Sequence, residues 1–208
     1  MKYKKVIIDK IWNFNRIGIK RKNIKRLTNT NPTIISSNCN GGVIMHDLNL
    51  KFLTPTVNLF MYPKDFLKLV SELDKYLSKD VELIEVVSSR NYPIGRLIDV
   101  EIHFMHYSTF EEAKNKWIVR SKRIQHNNIF LMMTDRDGCT YEDMVKFDNL
   151  PFKKVLFTNK RYPEIQSSFY IKGFENKDSV GILSNKKSIW GKRYLDDFDF
   201  VSFLNAKN

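Results

Sequence analysis

The run Ile129-Phe130-Leu131-Met132-Met133 constrains this chain more than any other stretch. Five successive apolar side chains do not suit a strand with one wet face, where alternate residues meet solvent. The run is also too short for a buried helix. It therefore reads as a central strand, and it ends abruptly in Thr134-Asp135-Arg136-Asp137-Gly138. Other strands are expected around it. Thr33–Ser36 reads as a short buried strand, Thr56–Met61 as an apolar one, Val81–Val87 as an alternating one and Lys154–Phe157 as another. Leu97–Met105 alternates, with Ile98, Val100, Ile102 and Phe104 on one side and Asp99, Glu101 and His103 on the other, so one strand is expected there.

Helical spacing fills the gaps. Pro63 suits a first helical turn, and Phe66, Leu67, Val70, Leu73 and Leu77 form an apolar face to about Ser78. Tyr92–Gly95 reads as a turn. Ser108 or Thr109 can cap a helix whose inner face holds Phe110, Ala113, Trp117 and Ile124. Thr140–Phe147 and Asp196–Leu204 are further helices. Strands and helices alternate closely from residue 33 to 158. That order predicts an α/β layered fold with a mainly parallel central sheet flanked by helices. Ser167–Ile171 and Ser179–Leu183 are expected as short strands, with the last 50 residues adding antiparallel strands at an edge.

Charge separates the first residues from the rest. Residues 1–26 carry ten Lys or Arg and only Asp9 as an acid, which is nine of the chain's twelve net positive charges. Val6, Ile7, Ile11, Phe14, Ile17, Ile24 and Leu27 recur there at helical spacing, with Gly18 as a potential break. Residues 1–29 are thus expected as a basic amphipathic helical segment and 30–208 as a single α/β domain. Two roles fit the helix. It packs on the body by its apolar side with the basic face in water, or it lies on an anionic membrane surface through residues 1–26. Nucleic acid is a poor fit, because the body is close to neutral and no base-stacking motif is present. Val6-Ile7-Ile8 is too short for a signal-peptide core, and no apolar run reaches the roughly 20 residues of a membrane span. A cytoplasmic location follows as the expectation, with peripheral contact at the inner face of the membrane. Cys39 and Cys139 are then free thiols.

Three groups can carry chemistry. The first is Ser37-Asn38-Cys39-Asn40-Gly41-Gly42, a small polar loop after the first strand. Ligands of α/β sheets gather at the carboxyl ends of strands, and a helix start offers N–H groups to an anion. Such a position would lower the Cys39 pKa, with His46 turning back to the same mouth as a partner. A tight turn with a buried thiol is the plainer alternative. The second is Asp135-Arg136-Asp137, where two carboxylates could share a divalent cation; a polar turn is the alternative. The third is His103 and His106 with Glu101 at a strand end, as acid or base. The first two turns are expected to open into one cleft.

Longer stretches carry a resemblance. Asn31-Pro32-Thr33-Ile34-Ile35-Ser36-Ser37-Asn38-Cys39-Asn40-Gly41-Gly42, then His46-Asp47-Leu48 and Thr54-Pro55-Thr56-Val57-Asn58-Leu59-Phe60, are distinctive. So are His106-Tyr107, Phe110-Glu111-Glu112-Ala113, Lys116-Trp117 and Thr134-Asp135-Arg136-Asp137-Gly138. Over residues 30 to 175 the chain resembles a bacterial family of capsule and exopolysaccharide loci, labelled exopolysaccharide biosynthesis protein. The resemblance implies a cytoplasmic protein of polysaccharide assembly. Together with the anion-suited loop it gives the expected function: a transferase moving a glycosyl or acyl group, with an anionic small molecule or glycan as substrate. In that expectation Cys39, His46, His106, Asp135 and Asp137 are catalytic. Ser37, Asn38, Asn40, Gly41, Gly42, His103 and Arg136 bind the ligand. The alternative is a non-catalytic module that docks on the membrane-bound assembly machinery.

Overall fold

β5 (Ile129–Thr134) lies where its apolar run requires, between β1 (Thr33–Ser36) and β6 (Lys153–Thr158). With β7 (Ser168–Tyr170) they form an all-parallel sheet in the order β1-β5-β6-β7. The computed structural model describes residues 2–206, with side chains from residue 6 onward. Every residue of β5 is buried, and its side chains divide by parity. Leu131 and Met133 enter an apolar layer shared with Phe66, Leu97, Phe104 and Trp117. Phe130 and Met132 enter the opposite layer with Ile44, Phe157, Leu195 and Phe200. Alternate residues of a strand face opposite ways, so an unbroken apolar run supplies both layers at once.

The first layer is built by α3 (Pro63–Ser71), the single turn α4 (Leu73–Tyr76), α5 (Phe110–Ser121), α6 (Tyr141–Asp148) and a small antiparallel sheet. That sheet has the order β2-β3-β4, from Leu83–Val86, Ile94–Leu97 and Val100–His103. The caps explain two helix starts. Thr109 Oγ1 accepts from the Glu112 amide, and Thr140 and Asp143 form a reciprocal capping box. The second layer holds α2 (Asn40–Asp47) and the C-terminal segment, whose 3-10 turn Tyr194–Asp197 precedes α7 (Phe200–Asn205).

Several local expectations are corrected. Leu97–Met105 is not one strand: β3 and β4 form a hairpin that turns at Ile98-Asp99, and Ile94-Gly95 belongs to β3. Thr56–Met61 contributes one isolated bridge, Phe60 to His103, instead of a strand. Ser179–Leu183 is irregular, and the edge strand β7 runs parallel.

α1 (Lys2–Arg26) is one continuous helix through Gly18. Its packing reverses the expectation of an apolar inner face. Ile7, Ile11, Phe14 and Ile17 are exposed, Phe14 at 78%. The buried side chains are Trp12 and Arg16, the latter 4% exposed. The Arg16 guanidinium pairs with Asp47 of α2 and, at 2.6 Å, with Asp196. Asp47 also meets Lys20 at 2.7 Å and Arg193 at 2.9 Å. Lys186 pairs with Asp9 at 2.5 Å and lies over the Trp12 ring. A Cβ at Gly191 would come within 2.6 Å of the Arg16 nitrogen, so the 186–193 turn rests directly on the helix backbone. No described helix is long and apolar enough to cross a membrane.

Candidate functional site

The carboxyl ends of β1 and β5 lie side by side, because the two strands pair in parallel with Ser36 opposite Met132. The turns that follow are tied together: Asn38 Nδ2 donates to Thr134 Oγ1 at 3.1 Å. The Ser37 carbonyl then accepts from the Met61 amide, and Phe60 exchanges both backbone hydrogen bonds with His103. The segment around Phe60 thus stitches the parallel sheet to the hairpin sheet. Ser37 and His103 flank it about two strand spacings apart, roughly 10 Å.

His103 is the most constrained polar group of this rim. It is 2% exposed, stacks on Phe60 at 4.4 Å, and meets the edges of Tyr62 and Tyr92 at 5.2 and 6.0 Å. Nδ1 lies 3.5 Å from the Tyr92 hydroxyl. Nε2 lies 3.1 Å from Glu101 Oε1 but is not aligned for a hydrogen bond, so it is buried without a hydrogen-bond partner among the described residues. Burial pushes the imidazole pKa down, against the pull of Glu101, so the ring is neutral near pH 7. Glu101 is the half-exposed end of the pair. Asp65, at the start of α3, lies beside them; burial pushes its carboxyl up, against the Glu101 backbone amide and Lys68.

The glycine loop is differently made than expected. The helix starts at Asn40, so Gly41 and Gly42 lie inside α2. A Cβ on Gly41 would stand 2.9 Å from Ser36 Cβ and 3.0 Å from Ile34 Cγ2. Gly41 is therefore small so that α2 can pack on β1. Asn38 Oδ1 accepts from the Asn40 amide, an Asx turn that starts the helix. Cys39 precedes α2, and its thiol faces the Leu59 carbonyl at 3.8 Å. Burial raises its pKa, which corrects the expected thiolate. His46 does not turn back. It is exposed in the last turn of α2, about 10 Å along the axis from Cys39. His106 is exposed beyond β4, its amide donating to the Asn58 carbonyl.

Asp135 is a clamp. Its Oδ2 accepts from the Asn159 amide at 2.7 Å and its Oδ1 from the Val180 amide at 2.8 Å. Both oxygens are thus used to join the ends of β5 and β6 to the C-terminal segment, and burial pushes the carboxyl up. Asp137 has φ +59 on the exposed turn, 3.9 Å from the Arg136 guanidinium. Among the described residues no cluster of three His, Cys, Asp or Glu side chains is placed to hold a metal ion.

Phe60, Tyr62, Tyr92 and Asp65 are absent from the sequence-derived candidates. Two of them share the dipeptide Tyr-Pro, at 62–63 and 92–93, but it recurs at 162–163, where Tyr162 lies beside Tyr141, so it does not by itself single out this rim. A residue before proline is held extended, and Tyr62, with ψ 152, has that geometry at the head of α3.

Comparison with known proteins gives two findings. The family model described as Domain of unknown function (DUF1919) matches residues 10–205. An uncharacterized protein of Haemophilus influenzae strain Rd is 46% identical over 191 residues, covering 91% of this chain and 92% of that protein.

Proposed function

This chain belongs to the DUF1919 family, and we propose that it is a transferase of surface-polysaccharide assembly, acting on an activated sugar or lipid-linked glycan. The observation that carries the reading is the Glu101–His103 pair set among Phe60, Tyr62 and Tyr92. Aromatic rings beside a half-exposed carboxylate are the furniture of a site for a ring that is apolar on its faces and hydroxylated at its rim. The polysaccharide context comes from the resemblance over residues 30–175. In the proposed step, an acceptor hydroxyl attacks the anomeric carbon of the donor. Its proton passes to the Glu101 carboxylate, and the bond from that carbon to the phosphate oxygen breaks, the phosphate group leaving with the electron pair. Neutral His103 lies behind Glu101, its Nε2 3.1 Å from Oε1. The Asn38–Thr134 tie places polar groups of the parallel sheet on the other flank. The proposed step uses no thiol: Cys39 faces the Leu59 carbonyl, and burial raises its pKa.

The test uses the full chain and Glu101→Gln. Titration with nucleotide sugars should shift the ring resonances of Tyr62, Tyr92 and His103. The substitution should lower glycosyl transfer at least about a hundredfold, the usual scale for a lost general base, with an unchanged unfolding midpoint. If cells carrying Glu101→Gln make normal polysaccharide and no nucleotide sugar perturbs these rings, the reading fails.

A further inference from the structure

α1 is held by its charged side, and this fixes which side it turns outward. Asp9, Trp12, Arg16 and Lys20 face Lys186, Asp47, Arg193 and Asp196. Residues 7, 11, 14, 18 and 25 then share one outward line, by the i, i+4, i+7 spacing of a helix. The first half of that line is Ile7, Ile11 and Phe14, all exposed. The second half carries Lys25, with Arg21 and Lys22 on either side, and Lys10 borders the apolar half. None of these four cations makes an ion pair among the described residues, and the one acid of α1, Asp9, is on the inner side. A shallow depression of about 430 Å³ lies among Gly18, Arg21, Lys22, Lys25 and Arg26.

We infer that α1 lies along an anionic membrane surface, with Ile7, Ile11 and Phe14 in the outer acyl region and the cations at lipid phosphates. Charge complementarity selects this occupant. A second copy of the chain laid parallel on the same face would bring two unpaired cationic rows together, and laid antiparallel it would set each cationic half against the partner's apolar half. An uncharged apolar partner would leave Lys10, Arg21, Lys22 and Lys25 without counter-charge. An anionic bilayer supplies an apolar layer and phosphates at adjoining depths, which is the arrangement that amphipathic interfacial helices use. From Ile7 to Lys25 the contact runs about 27 Å along the helix. The inference stands independently of the transferase reading.

Flotation of the full chain with vesicles tests it. Vesicles of phosphatidylcholine with about 30% phosphatidylglycerol should bind at least tenfold more protein than phosphatidylcholine alone. Raising salt from 0.1 to 0.5 M should lower that binding at least tenfold, because screening shortens to a few ångströms. Ile11→Ser with Phe14→Ser should abolish it, as should Lys22→Glu with Lys25→Glu, while all variants unfold at the parent temperature. No association with anionic vesicles overturns the inference, as does binding indifferent to Ile11→Ser and Phe14→Ser. A parent dimer that becomes a monomer in the Ile11→Ser, Phe14→Ser variant also overturns it, and assigns the face to self-association.

Discussion

Ile98 occupies the first place of the two-residue turn between β3 and β4, with φ +54 and an exposed side chain. A β-branched residue in this left-handed region carries a steric cost of about 1–2 kcal/mol, and two-residue hairpin turns favour glycine there. Ile98→Gly removes that strain, little apolar burial is lost, and the more flexible unfolded chain returns about 0.5–1 kcal/mol of the gain. The net expectation is stabilisation by about 0.5–1 kcal/mol, seen as a midpoint rise of about 2 °C in a thermal melt; a fall in midpoint contradicts it. The same turn explains why Leu97–Met105 reads as one strand. Ile98 falls in phase with Val100 and Ile102, so alternation runs through a reversal that only a backbone angle marks. Gly41 shows the opposite case: the pair Gly41-Gly42 stands out in the sequence, but its reason is the Ser36 and Ile34 side chains packed against it. A glycine needed for close packing and one needed at a ligand look alike in one dimension.

At the scale of elements, the helix register of α1 is legible and its docking face is not. Periodicity places Ile7, Ile11 and Phe14 on one side and suggests that this side is inward. The choice is made by partners far along the chain: Asp47 and Asp196 pair with a guanidinium that local spacing assigns to solvent. Burying Arg16 is tolerable only because two carboxylates compensate it. Asp47→Asn should therefore cost about 3 kcal/mol or more, since it leaves the Arg16 charge partly unmatched and weakens the ties to Lys20 and Arg193. The loss should be local to this interface. Hydrogen exchange in α1 should quicken strongly in the variant, while exchange in β5 and β6 follows the global stability alone. Equal acceleration in all three elements would argue that α1 and the sheet open as one unit. Arg16→Met added to Asp47→Leu should recover little of the loss, because buried Asp196 would then lack its guanidinium and Lys20 and Arg193 would still lack Asp47.

For the molecule as a whole, the parallel sheet and its layers were readable because β5 must be covered on both faces, and the alternation of elements dictates how. The rim at His103 was only half readable. Alternation puts Glu101 and His103 on one side of β4, but His103 is buried by the Phe60 segment, which arrives from 43 residues earlier through backbone bonds that no side-chain pattern announces. That burial makes stability depend on pH. The unfolded imidazole titrates near 6.5, and burial holds the folded one lower. Between those values the unfolded chain binds more protons than the folded one, so stability falls as pH drops from about 6.5 through the folded pKa. Asp47 acts at lower pH. Burial alone would raise its pKa, but hydrogen bonds from Lys20 and Arg16 and the charges of Arg16 and Arg193 hold it below 3.8. Its contribution is present above 3.8 and is lost as pH falls through its lower folded value. Asp65 and Asp135, pushed up by burial, work the other way as pH falls from their folded values to 3.8. A melt of the parent alone would mix these opposing slopes, so the difference between parent and His103→Asn is the informative curve. The parent should lose midpoint relative to the variant as pH falls through 6.5, and the difference should level off below the folded pKa, where both states carry the proton. A constant difference from pH 8 to 5 would mean that His103 titrates alike in the folded and unfolded chain, and that the ring is open to water instead of enclosed by Phe60, Tyr62 and Tyr92.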